Sequence, residues 1–431
     1  MMKRIAILIA MLHSFAYAQE LLTLDMAIER ALQHNFDIRI ARTDAKQAEV
    51  NNTAGNAGML PNLDLRGGLN TASQNVRNEF IDGRVQQVSN APSFGYNGSV
   101  NLNWTLFDGG RMFLLKKQLN VLELAGEAQL KERVQSVVSQ TIQAYAQVVW
   151  QRQQGIAIDT GLVLARTRME LSLLKYKTGT SAKVDYLQAQ VDYNSRQSDS
   201  MRQLAALNAS FATLNMLMGG DADYIYTVQD SLAIDTSLLP EHAELLENIN
   251  PSLSIARYNA EASQLNARMA KANYFPVIAL NGAYAYNNTQ SQSGFIAFSQ
   301  SYGPSAGLTL NMPLFRGGNV RREAKIASLQ AVRDQLLYER QGTEISRQYR
   351  TAWRDYQVSV GAYDLERRSI EAAKENVFIQ KERFKAGIAT TLETREAENS
   401  YVQALVRYYT AIYNLKVNET RVLELEGALV K

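Results

Sequence analysis

The segment Leu106-Phe107-Asp108-Gly109-Gly110 returns as Leu314-Phe315-Arg316-Gly317-Gly318, 208 positions later (314 − 106). Tyr176-Lys177-Thr178-Gly179 returns as Phe384-Lys385-Ala386-Gly387 at the same spacing, and Asn215 to Gly219 face Leu423 to Gly427. Upstream, Ile40-Ala41-Arg42 and Pro61 match Ile255-Ala256-Arg257 and Pro276 at a spacing of 215 (276 − 61). The chain is therefore one domain-scale unit written twice, far longer than a solenoid repeat. The first copy covers about 22–219 and the second about 240–427, joined by a linker at 220–239. The change of spacing puts a seven-residue length difference (215 − 208) between Pro61 and Leu106, where a surface loop is expected.

Each copy carries the same order of patterns. A helix of about 25 to 36 residues ends before Pro61 or Pro276. A strand pair follows, at about 61–107 and 276–315. After each Gly-Gly comes a very long helical stretch without proline, Arg111 to Thr178 and Asn319 to Ala386. A break at Gly179 or Gly387 precedes a last helix. The strands are read from alternation. Tyr96, Gly98, Val100, Leu102, Trp104 and Leu106 point one way, and Asn97, Ser99, Asn101, Asn103 and Thr105 the other. Ile278, Leu280, Tyr284 and Tyr286 alternate likewise, as do Tyr302, Ala306, Leu308, Leu310 and Met312 against Ser301, Ser305, Thr309 and Asn311. Such strands suit a wall between lipid and water; a soluble two-sheet sandwich with one wet face is the alternative. The helices are read from seams. Leu204, Leu207, Phe211, Leu214 and Met218 step by three and four, Val184, Leu187 and Val191 begin the series, and Ala189, Ala205, Ala206, Ala209 and Ala212 allow close helix approach.

The first residues set the compartment. Lys3 and Arg4, the apolar run Ile5 to Leu12, and Ala16-Tyr17-Ala18 describe a secretory signal peptide over residues 1–18. No later stretch is continuously apolar over the roughly 20 residues of a membrane helix. There are no cysteines, which excludes disulfides, thiol catalysis, thiolate metal sites and an acylated cysteine. Removing Lys3 and Arg4 takes the formal charge from +3 to +1 (3 − 2), a poor match for nucleic acid as main partner. Beyond the leader the histidines are His34 and His242, without metal-motif spacing. The Gly-Gly pairs lack the frame of a phosphate-binding loop, and the carboxylates are scattered. No catalytic residue, cofactor or metal site is read, and no enzyme is expected.

Two copies give four strands, and single-chain membrane barrels begin at about eight. Open sheet edges are not tolerated in lipid. Strands that span a membrane here must therefore come from several chains, and three chains would supply twelve (3 × 4).

Leu22-Thr23-Leu24-Asp25-Met26-Ala27-Ile28 with Ala31-Leu32 and Asn35, the duplicated Leu-Phe-x-Gly-Gly junctions, and the Tyr-Lys-Thr-Gly-Thr-Ser and Phe-Lys-Ala-Gly-Ile-Ala turns occur in one order over the whole mature chain. In this ordered set the chain resembles the TolC-like outer-membrane factors of Gram-negative bacteria. The resemblance implies a mixed, mostly helical fold: a homotrimer with a 12-stranded outer-membrane β-barrel continued by a periplasmic α-helical coiled-coil tunnel. It implies docking to a periplasmic adaptor and an inner-membrane pump or ABC exporter, with drugs, metals, small molecules or proteins as cargo. With no cysteine to acylate, the barrel alone would hold the chain in outer-membrane lipid. The turns carrying Tyr176, Gly179, Ser181, Phe384, Gly387 and Thr390 would be the adaptor-docking tips. Asp185, Glu393 and Glu396 would ring a periplasmic gate, where crowding in a trimer should raise some carboxyl pKa values. Gln188 stands where a partner to Glu396 would fall. Lys175, Lys177, Lys381 and Lys385 could pair with charges at the tips but read more simply as solvated surface. Phe107, Gly109, Gly110, Phe315, Gly317 and Gly318 form the strand-to-helix junctions. Loops at Thr71 to Ser93 and Asn287 to Gln300 would face the exterior. The competing reading is a periplasmic coiled-coil structural or adaptor protein without a pore; a secreted hydrolase is disfavoured because no acid–base–nucleophile cluster is present.

Overall fold

A computed structural model describes residues 21–229, 231–240, 249–292 and 296–430. The signal peptide and His242 lie outside them. In chain order the elements are β1 (Leu21–Leu22), α1 (Leu24–His34), α2 (Phe36–Asn51), β2 (Asn62–Glu79), β3 (Val85–Asp108), α3 (Arg111–Lys177), α4 (Lys183–Met218), β4 (Thr227–Val228), α5 (Pro251–Ala272), β5 (Val277–Ser291), β6 (Phe298–Asn311), α6 (Asn319–Lys385) and α7 (Thr391–Leu425). Both copies carry a strand hairpin, a long helix and a last helix in the order read from the sequence. α3 and α6 are each 67 residues long, about 100 Å at 1.5 Å per residue.

The chain divides into two compact units. One contains residues up to 43, 129–254 and 342–431; the other contains 44–128 and 255–341.

The first unit is helical. Its main core gathers Leu22, Ala27, Tyr145, Val148, Val149, Phe211, Leu214, Met218 and Ile412, all buried. Tyr145 is 1% exposed and donates its hydroxyl to Leu22 O at 3.0 Å, so the one polar atom of that large side chain is satisfied. A second cluster holds Tyr349, Tyr356, Leu415 and Val422. The seam predicted along α4 is buried at Phe211, Leu214 and Met218. Val184, Leu187, Val191 and Leu204 of the same seam are exposed.

One expectation is corrected here. The first helix of the first copy is not continuous: it breaks at Asn35. Asn35 ends α1, with its N–H bonded to Ala31 O, and its side-chain oxygen caps α2 through Asp37 N at 2.9 Å and Ile38 N at 3.3 Å. Its amide donates to Leu217 O at 2.9 Å. The second copy repeats the device. Asn250 accepts from Leu253 N at 3.2 Å and donates to Leu425 O at 3.0 Å. Gly219 and Gly427 complete each joint, because a β-carbon there would lie 2.8 Å from His34 O or Ile249 O.

The second unit is built on one antiparallel sheet in the order β2-β3-β5-β6. The register puts Leu65, Val100, Tyr284 and Pro304 in one row, and Leu69, Tyr96, Asn288 and Gln300 in another, on the apolar face. Arg66, Ser99, Ala285 and Gly303 share the opposite face, as do Asn70, Gly95, Thr289 and Ser299. Tyr96, Tyr286 and Tyr302 stack across three strands at centroid distances of 5.9 and 6.4 Å.

Three further expectations are revised. Thr71 to Ser93 is mostly strand, closed by a turn at Phe80–Arg84 with Gly83 at φ 81°. Asn287 to Ser291 and Phe298 to Gln300 are likewise strand. The seven extra residues therefore lengthen the first hairpin rather than only its loop. Alternation also fails at Leu106: the ladder with β5 jumps from Thr105 to Phe107, so a bulge puts Phe107 opposite Ile278. Finally, β6 stops at Asn311, short of the expected 315.

Asn35→Ala and Asn250→Ala should each lower stability by about 1–3 kcal/mol, since each removes a helix cap and a bond to a buried carbonyl. Denaturant midpoints of purified protein check this; a loss below about 0.5 kcal/mol for both would contradict the joint.

Candidate functional site

The predicted tips both lie in the helical unit, at the turns between α3 and α4 and between α6 and α7. Gly179 and Gly387 take φ of 76° and 78°, a conformation other residues adopt at a cost, and nothing lies where a β-carbon would sit. At the first turn Gly179 N bonds to Tyr176 O and Thr180 N to Lys175 O. At the second, Gly387 N bonds to Phe384 O and Ile388 N to Arg383 O. The two turns are thus the same motif.

They touch each other through Lys175. Its Nζ donates to Phe384 O at 2.7 Å and sits 3.8 Å from the centre of the Phe384 ring. Phe384 is 3% exposed, whereas Tyr176 is 39% exposed, so of the two tip aromatics only Tyr176 offers its ring to solvent. Lys385 pairs with Glu382 at 2.6 Å on the surface, where such pairs contribute little.

The three carboxylates expected at a gate stand in different surroundings within the chain. Glu393 forms a capping box at the start of α7: Thr390 Oγ1 accepts from Glu393 N at 3.2 Å, while Glu393 Oε2 accepts from Thr390 N at 2.7 Å. The Thr390 N–H, then its hydroxyl, hold the Glu393 carboxyl below the usual range. Asp185 accepts from Ser181 Oγ at 2.6 Å. Glu396 is exposed one turn further along α7.

The sequence reading missed a buried charge cluster on the same helices. Arg168 of α3 is 3% exposed. Its Nη1 donates to Asp192 of α4 at 3.1 Å. Its Nε lies 3.1 Å from Glu398 of α7, within ion-pair reach although its N–H has no acceptor in line. Arg196 donates to Asn399 at 2.6 Å, Gln188 to Asp192 at 3.3 Å, and Arg395 comes within 4.0 Å of Asp192. Burial pushes the Glu398 carboxyl up; Arg168 and then Arg196 oppose that shift without cancelling it. Helical periodicity was the available signal, since it puts Arg168 on the same face of α3 as Ala165 and Ser172, both buried.

An open groove of about 700 Å³ also lies between α3 and α6, lined by Leu164, Val377 and Phe378 together with Lys374, Lys381 and Glu371. Among the described residues no group of acidic, histidine or cysteine side chains could hold a metal ion, and no helix is long and apolar enough to cross a membrane.

Paired long-helix hairpins, joined in duplicate to strand hairpins with one apolar face, define the class of outer-membrane export ducts. The chain belongs to the outer membrane efflux protein family, which it matches over residues 27–220 and 243–428. It is similar to the proteases secretion protein PrtF of Dickeya chrysanthemi, at 22% identity over 94% of this chain and 88% of that one. It is similar to the outer membrane protein TolC of Vibrio cholerae, at 21% identity over 88% and 84%. Among solved structures, its fold matches the CmeC outer membrane channel of Campylobacter jejuni with a TM-score of 0.81, at 17% identity over 94% and 85% of the two chains. It matches VceC of Vibrio cholerae with a TM-score of 0.75, at 17% identity over 94% and 96%. The chain is thus an exit duct component in the outer membrane of a Gram-negative cell, from a family of channel proteins rather than enzymes.

Arg168→Met should destabilise the protein by about 3 kcal/mol or more, because it leaves Asp192 and Glu398 without their buried counter-ion. Glu398→Gln should cost far less. The folded-state pKa of Glu398 is raised, so its contribution is fully present below the unfolded pKa and is lost as pH rises through the folded one. Melting curves between about pH 5 and pH 8 should show the wild type losing ground to Glu398→Gln as pH rises; the opposite slope would contradict the burial cost.

Proposed function

We propose that three copies of this chain close a 12-stranded barrel in the outer membrane and continue it as a helical tunnel. A periplasmic adaptor and an inner-membrane pump or ABC exporter would deliver cargo to the tunnel, which conducts it passively outward. One observation carries this reading. The sheet has an apolar face and two unpaired edges, β2 and β6, and four strands cannot close on themselves.

The helices support it. Val358, Leu365, Ala372 and Ile379 recur every seven residues along α6 and are all exposed, as are Val184, Leu187 and Val191 of α4. These are coiled-coil seams without a partner inside one chain. Relatives include proteins named for protease secretion, pyoverdine export and efflux. A common exit duct serving different pumps accommodates all three.

In the trimer, Asp185, Glu393 and Glu396 would each be present three times, near turns that adaptor hairpins reach through Tyr176, Gly179, Ser181, Gly387 and Thr390. Three like charges facing one passage favour cations and repel one another. Parting the tips would then break the contact of Lys175 with Phe384, a change between two packed arrangements driven by adaptor binding.

Purified protein in planar bilayers should give small, cation-selective currents from a species of trimer mass. Glu396→Ala, which removes no bond within the chain, should weaken cation selectivity; Glu393→Ala should do so and also loosen the tip. Unchanged selectivity in both variants would move the gate elsewhere, and a monomer that never inserts would sink the duct.

A further inference from the structure

Charge is spread very unevenly over the sheet unit. The register brings the start of β2, the end of β3, the start of β5 and the end of β6 to one end of the sheet, where the chain passes to or from helices. The stretches that make this end are 50–61, 106–117, 265–276 and 314–325. The first has no charged residue. The second has Arg111, Lys116 and Lys117 against Asp108, the third Arg268 and Lys271, and the fourth Arg316, Arg321, Arg322 and Lys325 against Glu323. Their sum is +7 (9 − 2). The mature chain as a whole carries +1 (3 − 2), so everything else sums to −6 (1 − 7). The opposite end of the same sheet, at 71–93 and 287–300, is neutral: Arg77 and Arg84 balance Glu79 and Asp82.

The surplus is not neutralised within the chain. Arg111, Lys117, Arg268, Lys271, Arg316, Arg321, Arg322 and Lys325 are all exposed. Among the described residues none of them has an ion-pair partner, and along α6 the first ion pair is Arg333 with Asp334 at 2.9 Å. Lys116 is held by Asn52 and by Asn120, neutral amides that leave its charge standing. Of the two acids, Asp108 is turned to the start of α3, where it accepts from Met112 N at 3.0 Å. Like charges crowded this way repel one another unless an anion comes between them.

The same end carries exposed aromatic rings, Trp104, Phe107, Tyr274 and Phe275. Rings beside long cationic side chains suit the boundary between hydrocarbon and headgroups, where each side chain is apolar at its base and polar at its tip. Arg321 to Lys325 rise by about 6 Å along α6, within the roughly 5–8 Å depth of a headgroup layer. The planar fork of arginine matches the oxygens of a phosphate, and four of the six cations nearest the Gly-Gly turns, Arg111, Arg316, Arg321 and Arg322, are arginines. A zwitterionic headgroup brings its own ammonium to such a surface, whereas an anionic phospholipid brings net negative charge.

We propose that this strand-to-helix rim binds the phosphates of anionic phospholipids in the leaflet nearer the helices, with Arg316, Arg321 and Arg322 as the principal contacts. The bound headgroups neutralise the rim and fix the depth at which the apolar face sits in the bilayer. The proposal rests on the membrane-duct reading, which puts the helices in the periplasm, and adds to it a lipid class and the residues that select it.

The test uses full-length protein reconstituted in phosphatidylcholine bilayers with a trace of spin-labelled phosphatidylglycerol or spin-labelled phosphatidylethanolamine. The motionally restricted fraction of each label reports its association with the protein. Phosphatidylglycerol should associate at least about threefold more strongly. Raising salt from about 0.1 M to about 1 M should bring the two lipids close to parity, because exposed charges are screened. Combining Arg316→Gln, Arg321→Gln and Arg322→Gln should remove at least half of the preference, and the matching triple change to Lys should retain most of it. Arg350→Gln with Arg354→Gln, exposed positions further along α6, should leave the preference unchanged. Circular dichroism and particle mass confirm that each variant folds. Equal association of the two lipids, or a preference untouched by the Gln triple, overturns the site while the protein still inserts. Stronger restriction of spin-labelled lipid A through the same arginines assigns this end to the other leaflet and also overturns it. A protein that never enters the bilayer overturns the duct reading beneath it.

Discussion

Unpaired backbone at the two edges of the β2-β3-β5-β6 sheet is the constraint from which the rest follows. The apolar face seeks lipid or protein, and in lipid no water can satisfy the N–H and C=O groups along β2 and β6. A hydrogen-bond group left bare in hydrocarbon costs several kcal/mol. Strands of 14 to 18 residues at those edges therefore demand a strand partner. Gene-scale duplication meets half of the demand, because β3 and β5 pair the repeats inside one chain. In the proposed trimer the other half comes from further copies.

The helical unit carries the same signature in another form. Its core is closed by large buried side chains, and its joints at Asn35 and Asn250 hold short helices onto long ones with repeated hydrogen bonds. Toward the tips the packing changes character. Apolar seams on α4 and α6 turn to the surface, and the interior becomes ionic, with Arg168 held between Asp192 and Glu398. Breaking such a pair is costly, whereas a hydrophobic triplet of equal volume would be no less stable. The ionic cluster fixes three helices against one another close to turns that are joined through Lys175 and Phe384. The tips, which part in the proposed duct, thus lie beside a region held by ionic contacts across three helices.

Much of this was legible in the sequence. The repeat spacings anticipated the two strand hairpins and the two long helices, and both Gly-Gly junctions and both tip glycines have the positive φ that explains their choice. The alternation of Tyr96 to Trp104 named the two sheet faces correctly, since register preserves them across four strands. What escaped has physical reasons. The bulge at Leu106 is a change of hydrogen-bond pairing that side-chain pattern does not record. The break at Asn35 lies between two helical runs with no proline or glycine to mark it, because the asparagine side chain supplies what the backbone gives up. Thr71 to Ser93 reads as a loop because its residues are mostly polar, yet its backbone pairs as strand. Arg168 carries no local signal of its burial, because its partners Asp192 and Glu398 lie on other helices. Glu393 was read for its charge, and the capping box with Thr390 gives it a structural task as well.

Amide hydrogen exchange of the full protein in lipid bilayers tests the central claim most directly. If neighbouring copies complete the sheet, amides along β2 from Asn62 to Asn70 and along β6 from Ser301 to Asn311 should be protected about as strongly as those of β3 and β5. Protection of β3 and β5 with fast exchange along both outer edges would mean that the sheet remains open, and would contradict the duct.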